Sequence, residues 1–209
     1  MAGDDEELLE FLRVMRRLRA ECGWKRGQTH RSLARYLLEE TYETLEAIDT
    51  DSGSGDRSHV REELGDLLLQ VFFHTVIAEQ DGAFTTGDVA ADITAKMRRR
   101  NPHVFGDPAD RADGSGLDPA GVNELWEARK AEEKQRSSVT DGLPPGLPAL
   151  LHADKVLDRL ARAGETVATD PGDPDVGERL LALVAEARRD GVDPEQALRD
   201  AVRRLLGAG

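Results

Sequence analysis

Two groups of acidic residues have the spacing that a divalent-cation site needs. Glu39, Glu40 and Glu43 share one predicted helix, and Glu63 and Asp66 share the next. Residues three or four apart lie on one helix face, with Cβ atoms about 5–6 Å apart. If the two helices pack antiparallel, four or five carboxylates converge, and a hard cation such as Mg²⁺ would neutralise their repulsion. The competing interpretation is a solvated acidic surface, which the spacing alone leaves open.

Three basic side chains, Lys96, Arg99 and Arg100, stand at the end of a later predicted helix. Taken alone, this position favours an interaction with the negative end of the helix, with the side chains solvated, and it leaves a role in binding an anion open. Trp24 and Trp126 are the only tryptophans, and each is more typical of a core anchor than of a ligand platform.

The histidines and the cysteine indicate no metal cluster of their own. His30, His74 and His103 are not grouped at ligand spacing, and we expect structural roles for His30 and His103. Cys22 is the only cysteine, which excludes an intramolecular disulfide or a cysteine zinc cluster. The Glu-x-x-His pairs of di-iron helical bundles are absent from the sequence, which argues against oxygen chemistry on iron.

A bundle of helices would position these groups. Apolar residues recur at helical spacing and β-type alternation is absent, so the predicted fold class is all-α, a helical bundle. Loops are predicted at 22–30, 51–56, 101–118 and 137–148, and the Gly- and Ser-rich 51–56 is expected to be flexible. The predicted helices cover residues 5–21, 31–49, 58–80, 85–100, 118–136 and 149–163. The third is apolar nearly all round over 67–73, which places it centrally or in a subunit interface.

The tail of the chain repeats part of this pattern. Residues 63–71 resemble 175–183, and each stretch precedes a helix with a basic end, at 96–100 and at 203–204. No counterpart of the acidic stretch 39–43 precedes the second copy, whose Asp175 and Glu178 alone make a poor Mg²⁺ site. We therefore predict one complete domain over 1–163 and a degenerate partial repeat over 164–209 that braces the fold or a dimer. The alternative is that two amphipathic helices merely look alike.

Composition excludes several classes of function. The net charge of −13 and an aromatic content of 4% argue against binding to long nucleic acid. The densest apolar stretch, 67–77, contains His74 and is too short to span a membrane. The first ten residues are acidic and lack the apolar core of a secretion signal. We therefore expect a cytoplasmic protein with no membrane partner.

An ordered set of motifs gives the chain a specific resemblance. The acidic pattern Glu-Glu-x-x-Glu at 39–43 is followed by Glu-x-x-Asp at 63–66, and further matching stretches lie at 28–30, 36–40, 62–70 and 100–107. Together they resemble the MazG family of nucleoside triphosphate pyrophosphohydrolases over about residues 8–163. One departure is Cys22-Gly23-Trp24-Lys25, where the family often has Cys-Pro-Trp-Asp. That change alters the charge of the loop and bears on substrate preference.

The resemblance implies roles for the acidic residues. Glu40, Glu43, Glu63 and Asp66 would be ligands of Mg²⁺, with Mn²⁺ as an alternative ion. Glu39 would be a further ligand or the base that activates the attacking water. All five would then be catalytic residues, acting at the α-phosphorus of the substrate.

The resemblance also implies the substrate-binding residues, the reaction and the assembly. Lys96, Arg99 and Arg100 would hold phosphate oxygens, and Trp126 would pack against the base or ribose. The expected reaction is hydrolysis of a (deoxy)nucleoside triphosphate to the monophosphate and pyrophosphate, in housecleaning of the nucleotide pool or in stress. The implied fold is the all-α pyrophosphatase type, assembled as a homodimer or a higher homo-oligomer. The alternatives are a non-catalytic nucleotide-binding or regulatory partner and a purely structural helical module.

Overall fold

The computed structural model describes residues 2–51, 57–106, 121, 122, 126 and 138–207, and within them it contains helices and no strands. This confirms the all-α prediction. The helices whose full extent lies in this part of the chain are α1 (Ala2–Glu21), α2 (Gly23–Arg26), α3 (His30–Thr50), α4 (Ser58–Gln80), α5 (Thr86–Arg100), α6 (Pro102–Phe105), α7 (Ala149–Arg162), α8 (Val176–Arg189) and α9 (Pro194–Leu206).

The long helices begin and end within three residues of their predicted bounds, and two short helices were not predicted. The connection predicted at 22–30 contains the single turn α2, and the loop predicted at 101–118 opens with α6, where Pro102 takes the first helical position that suits its fixed φ. Positions 52–56 of the predicted flexible loop lie outside the described residues. So does most of the predicted helix 118–136, of which Gly121, Val122 and Trp126 are described as helical.

Hydroxyl and carboxylate caps explain where several helices start. Thr29 and Ser32 form a capping box at the start of α3, and Thr85 and Asp88 form another at the start of α5. Each box satisfies N–H groups that have no partner inside the helix. The cap of α5 is therefore Thr85, the first residue of the predicted helix 85–100.

The chain divides into two compact units, Met1–Trp126 and Glu127–Gly209. In the first unit, α4 packs against both α1 and α3. The core of this unit is formed by Met15, Leu33, Phe73, Val76 and Ile77, with Phe11, Leu12, Leu18, Tyr36, Leu69 and Phe72 packed around it. Each large side chain buried in this way contributes about 1.5–3 kcal/mol, so the packing of α1 and α3 on α4 fixes the helices that carry the acidic residues.

A buried arginine fixes the connection between α1 and α3. Arg19 is 8% exposed, and its Nη1 donates to the backbone oxygens of Lys25 and, at 2.9 Å, of Gln28. Its Nε donates to the side-chain oxygen of Gln80 at 2.9 Å. One guanidinium thus holds α1, the α2 turn, the residue before the cap of α3 and the end of α4 together.

In the second unit, α7 packs on α8 and α9. Leu157, Ala182 and Val184 are buried there, and Arg188 bridges Asp154 and Asp158 of α7 at 3.3 and 2.5 Å. Because its apolar face is covered by these helices, α7 groups with the tail, whereas the sequence-based boundary at 163/164 assigned it to the first domain. The origin of 164–209 as a partial repeat stays a prediction. In the part of the chain that the structure describes, none of the helices combines the length and the hydrophobicity that a membrane span requires.

Candidate metal centre and phosphate-binding residues

The acidic residues of α3 and α4 meet where a shared hydroxyl joins the two helices. Thr44 is buried, and its Oγ1 donates to the backbone oxygen of Glu40 at 2.7 Å and to that of Glu63 at 3.3 Å. Because one side chain contacts the backbone of both helices, their separation is fixed at the level of the carboxylates. The antiparallel packing predicted for these helices is what brings the two acidic stretches together.

Three of the predicted ligands form a compact group. One carboxylate oxygen each from Glu40, Glu43 and Glu63 can be chosen so that all lie within 4.8 Å of one another. Glu40 and Glu63 are half-buried, while Glu43 is exposed. Carboxylate oxygens that converge from two helices at this separation are the donor set that Mg²⁺ and similar hard cations take.

Asp66 lies outside this three-oxygen group but acts on it. The pKa of the Glu40 carboxyl is raised above its usual value by burial, and next by the negative charges of Asp66 and Glu43. In the opposite direction, the amide of Gln70, whose Nε2 is 3.5 Å from Glu40, lowers it. Asp66 therefore adds to the negative potential at Glu40, and a bound cation would neutralise part of this repulsion.

A buried amide oxygen beside the carboxylates supports the fit of a hydrated cation. Gln70 is 4% exposed, and its Oε1 has no hydrogen-bond partner among the described residues. A buried acceptor left unpaired costs about 1–3 kcal/mol. Water in the hydration shell of a cation held by Glu40 would supply the missing donor, because Mg²⁺ in proteins keeps several of its waters.

Glu39 is directed elsewhere. It is exposed, and its Oε1 is 3.3 Å from Nη2 of Arg35, one turn earlier on α3. Both side chains of this pair are at least half exposed to solvent. The structure thus pairs Glu39 with a surface arginine, and its predicted role as ligand or base stays a prediction.

The predicted phosphate-binding residues lie on the last turns of α5. Arg100 is 4% exposed, and its guanidinium lies 5.2 Å from the ring centroid of Trp126. A cation over an indole face at this distance is attracted by the ring quadrupole. Lys96 is half-buried and Arg99 is exposed. The structure therefore brings together two of the residues assigned to the substrate, Arg100 and Trp126.

A histidine pair on the same two helices was not predicted. Nδ1 of His30 is 2.7 Å from Nδ1 of His74, and the rings stack with centroids 5.0 Å apart. The pKa of His74 is lowered by burial and, to a smaller extent, by His30. The antiparallel register that sets Glu40 beside Gln70 also sets His30 beside His74, so a register assigned from the acidic residues would have revealed the pair.

Comparison with known proteins places these residues in a recognised pattern. The family model for the MazG nucleotide pyrophosphohydrolase domain matches residues 28–105, which include all five predicted acidic residues and the end of α5. An uncharacterised 26.1 kDa protein of Streptomyces cacaoi is 46% identical over 197 residues, covering 93% of this chain and 77% of that protein.

Two further relatives carry enzyme names. The nucleoside triphosphate pyrophosphohydrolase/pyrophosphatase MazG of Thermotoga maritima is 37% identical, covering 94% of this chain and 82% of the relative. The nucleoside triphosphate pyrophosphohydrolase of Escherichia coli K12 is 39% identical, covering 88% of this chain and 68% of the relative.

Proposed function

The chain belongs to the MazG family of nucleoside triphosphate pyrophosphohydrolases, and from this premise we propose that it cleaves nucleoside triphosphates to the monophosphate and pyrophosphate with Mg²⁺ held between α3 and α4. The observation that carries the proposal is the group of carboxylate oxygens from Glu40, Glu43 and Glu63 within 4.8 Å of one another. Mn²⁺ has the same preference for carboxylate oxygen and would substitute.

The acidic residues would hold the metal. Glu40, Glu43 and Glu63 would supply ligands, and Asp66, whose negative charge acts on Glu40, would add a fourth carboxylate. When bound, Mg²⁺ would neutralise charge on the triphosphate and act as a Lewis acid toward the α-phosphorus. Glu39 would accept a proton from the attacking water once Arg35 releases it, or would serve as a further ligand.

The end of α5 would hold the substrate. Lys96, Arg99 and Arg100 provide cationic donors for phosphate oxygens. Trp126 offers an aromatic face to the base or ribose, and its stacking with Arg100 places that face next to a phosphate donor. The net charge of −13 would repel a long polyanion, so the substrate is a single nucleotide, encountered in the cytoplasmic nucleotide pool that we propose the enzyme cleans.

A mixture of nucleoside triphosphates tests the proposal. With Mg²⁺ the protein should release pyrophosphate and nucleoside monophosphates in equal amounts, and with a chelator in place of the metal it should release neither. Release of orthophosphate instead would show cleavage at another bond and contradict the proposed reaction. Tight nucleotide binding without any turnover would indicate the non-catalytic alternative.

We also propose that the enzyme is a homodimer formed through a second apolar face of α3 and α4. Leu38 and Tyr42 of α3 and Leu64 and Val71 of α4 are between 41% and 59% exposed, and on each helix they lie on the side away from the apolar core residues. Apolar surface of this kind on two adjacent helices is typical of an association site. Sedimentation should give twice the chain mass of 22.9 kDa, and L64E should shift it to the single chain. A wild-type species of 22.9 kDa at micromolar concentration would contradict this part of the proposal.

A further inference from the structure

Glu79, near the end of α4, is the meeting point of three helices. Its carboxylate accepts two hydrogen bonds from Arg16 of α1, from Nε and from Nη2, each at 2.8 Å. The same carboxylate accepts the backbone N–H of Thr86, the first residue of α5, at 3.2 Å. The side chain of Glu79 is 15% exposed and that of Arg16 is 50% exposed. None of the roles assigned above involves Glu79.

The bond from Thr86 determines how α5 starts. The first N–H groups of a helix have no partner within the helix. In α5 the capping box of Thr85 and Asp88 satisfies the N–H groups of those two residues, and Glu79 takes that of Thr86. The hydroxyl of Thr86 also lies 2.6 Å from the hydroxyl of Thr75 in α4. Two side chains of α4 therefore hold the first residue of α5.

Thr86 in the first turn of α5 lies on the same side of the helix as Lys96 and Arg100 in its last turns. Lys96 and Arg100 follow Thr86 by about 2.8 and 3.9 turns, so both point within about 80° of its direction. Arg100 is buried, whereas Val89 and Ile93, between the two ends, are exposed. The helix is thus anchored at its first residue by the bonds at Thr86 and at its last residue by the burial of Arg100.

We propose that Glu79 is a positioning residue, which fixes the rotation of α5 and so aims Lys96 and Arg100 at the phosphates of the substrate. The inference rests on the proposed function, because that proposal assigns phosphate binding to these two residues. The hydrogen bonds from Arg16 are the main reason that the pKa of the Glu79 carboxyl lies below the usual value, and the backbone bond from Thr86 lowers that pKa independently of Arg16.

Two substitutions at Thr86 separate the backbone bond from the hydroxyl. Both T86P and T86V remove the hydroxyl, but only T86P removes the N–H that Glu79 accepts. Proline is favoured at the first helical position, and Thr85 has the extended backbone that precedes proline readily, with φ −108° and ψ 166°. We expect T86P to raise KM about tenfold with little change in kcat, and T86V to leave KM within about twofold.

A second matched pair tests the carboxylate itself. Both E79M and R16M break the ion pair between α1 and α4, but only E79M removes the acceptor for Thr86. Both variants should lower Tm, and only E79M should raise KM. If R16M raises KM as much as E79M, or T86V as much as T86P, the effect comes from general stability or from the hydroxyl, and the inference is wrong.

Hydrogen exchange distinguishes failure of this inference from failure of the proposed function. If the wild-type protein releases no pyrophosphate, the proposed function is wrong. The effect of Glu79 on α5 is then tested by the hydrogen-exchange rates of the α5 backbone amides alone. Faster exchange over residues 94–100 in T86P than in T86V would support the role of the Glu79 bond. Equal exchange in the two variants would overturn it.

Discussion

The acidic pair in α4 and the acidic pair at the start of α8 have the same three-residue spacing and opposite uses. Glu63 lies well inside α4, which begins at Ser58, so the amides around it are bonded within the helix and its carboxylate meets Glu40 and Glu43 of α3. Asp175 precedes α8, and its Oδ1 accepts the N–H groups of Gly177 at 2.6 Å and Glu178 at 3.2 Å. The position of an acidic residue relative to the helix start decides whether it caps the helix or remains available to a ligand.

The two regions also differ in how they neutralise their carboxylates. In the second unit, Asp154 and Asp158 of α7 face Arg188, and Asp158 also pairs with Arg162. At the α3–α4 seam the described neighbours of Glu40 are further acids and one amide. Arg16 neutralises Glu79 of the first unit in the same way. At the seam, His59 Nδ1 lies 3.5 Å from Oε1 of Glu63, and the negative charge of Glu40 remains available to a cation.

The largest expected effect is on turnover at the α3–α4 seam. E43Q removes one charged ligand from the group of three, and pyrophosphate release at limiting Mg²⁺ should fall by at least about 100-fold, since even partners that only orient a ligand contribute 10–100-fold. The fold should persist, because the substitution also removes like-charge repulsion. The matched change in the tail, D175N, should leave turnover unchanged.

Near-normal activity of E43Q at limiting Mg²⁺ would remove Glu43 from the site. Equal losses of turnover in E43Q and D175N would show that the two acidic pairs are not functionally distinct, which would contradict the different roles assigned to them.

The next largest effect is the increase in stability that bound Mg²⁺ should give. Mg²⁺ at 100 times its dissociation constant should stabilise the wild-type protein by about 2.7 kcal/mol. In E40Q a ligand is missing, so the same Mg²⁺ concentration should raise Tm much less. The Tm of wild type and of E40Q is measured by thermal unfolding with Mg²⁺ and with a chelator. An equal rise in Tm with Mg²⁺ in the two proteins would contradict metal binding by Glu40.

The metal-free protein should respond to pH in a defined direction. Because the pKa of Glu40 is raised in the folded state, its contribution to stability is present below the ordinary carboxyl pKa and is lost as pH rises through the folded value. E40Q should therefore be more stable than wild type at pH 7 in chelator, and this advantage should shrink on acidification toward pH 4.5, the usual carboxyl value. An advantage that grows on acidification would contradict the assigned direction.

A smaller effect is expected at the cap of α8. D175A removes the acceptor for Gly177 and Glu178 and should cost about 1 kcal/mol of unfolding free energy. Turnover should not change, since the cap serves only the tail. D175N, whose side-chain oxygen still accepts, is the control that should retain most of the stability. A loss of activity in D175A at a temperature where it is fully folded would connect the tail to the reaction.

The smallest effect is expected at the surface pair of α3. Arg35 and Glu39 are exposed and one turn apart, so R35Q should change the unfolding free energy by only about 0.3–0.5 kcal/mol. If Glu39 acts in the reaction, E39Q should lower turnover while R35Q does not. Equal, small effects of the two variants would leave Glu39 as a surface residue and reduce the site to four carboxylates.

The helices and the convergence of three acidic side chains were predictable because local patterns determine them, whereas their role as a metal site stays a prediction. Apolar periodicity gave α4 its bounds, and a short hydroxyl residue marked the start of α5 at Thr85. The i,i+3 pairs identified Glu40, Glu43 and Glu63, since spacing on a helix fixes the face on which a side chain lies.

Long-range pairing was not predictable in the same way. Two of these contacts join residues far apart in the sequence: His30 with His74, 44 positions apart, and Arg16 with Glu79, 63 positions apart. A third, from Arg19 to Gln28, crosses the α2 turn. All three depend on how the helices are aligned against one another, which apolar periodicity does not specify. The grouping of α7 with the tail likewise depends on which helix packs over Leu157, because more than one helix of the chain has an apolar face that could cover it. Asp175 was recognised as acidic, but its use as a cap depends on where α8 begins.

The cations placed over the two indoles give the protein an optical reporter. Trp24 has Lys25 at 5.6 Å and Trp126 has Arg100 at 5.2 Å, so the emission of each is sensitive to the charge above its ring. A W24F protein would fluoresce from Trp126 alone. A triphosphate that draws the guanidinium of Arg100 toward its oxygens would then change the emission intensity, so substrate affinity becomes measurable under metal-free conditions in which no turnover is expected.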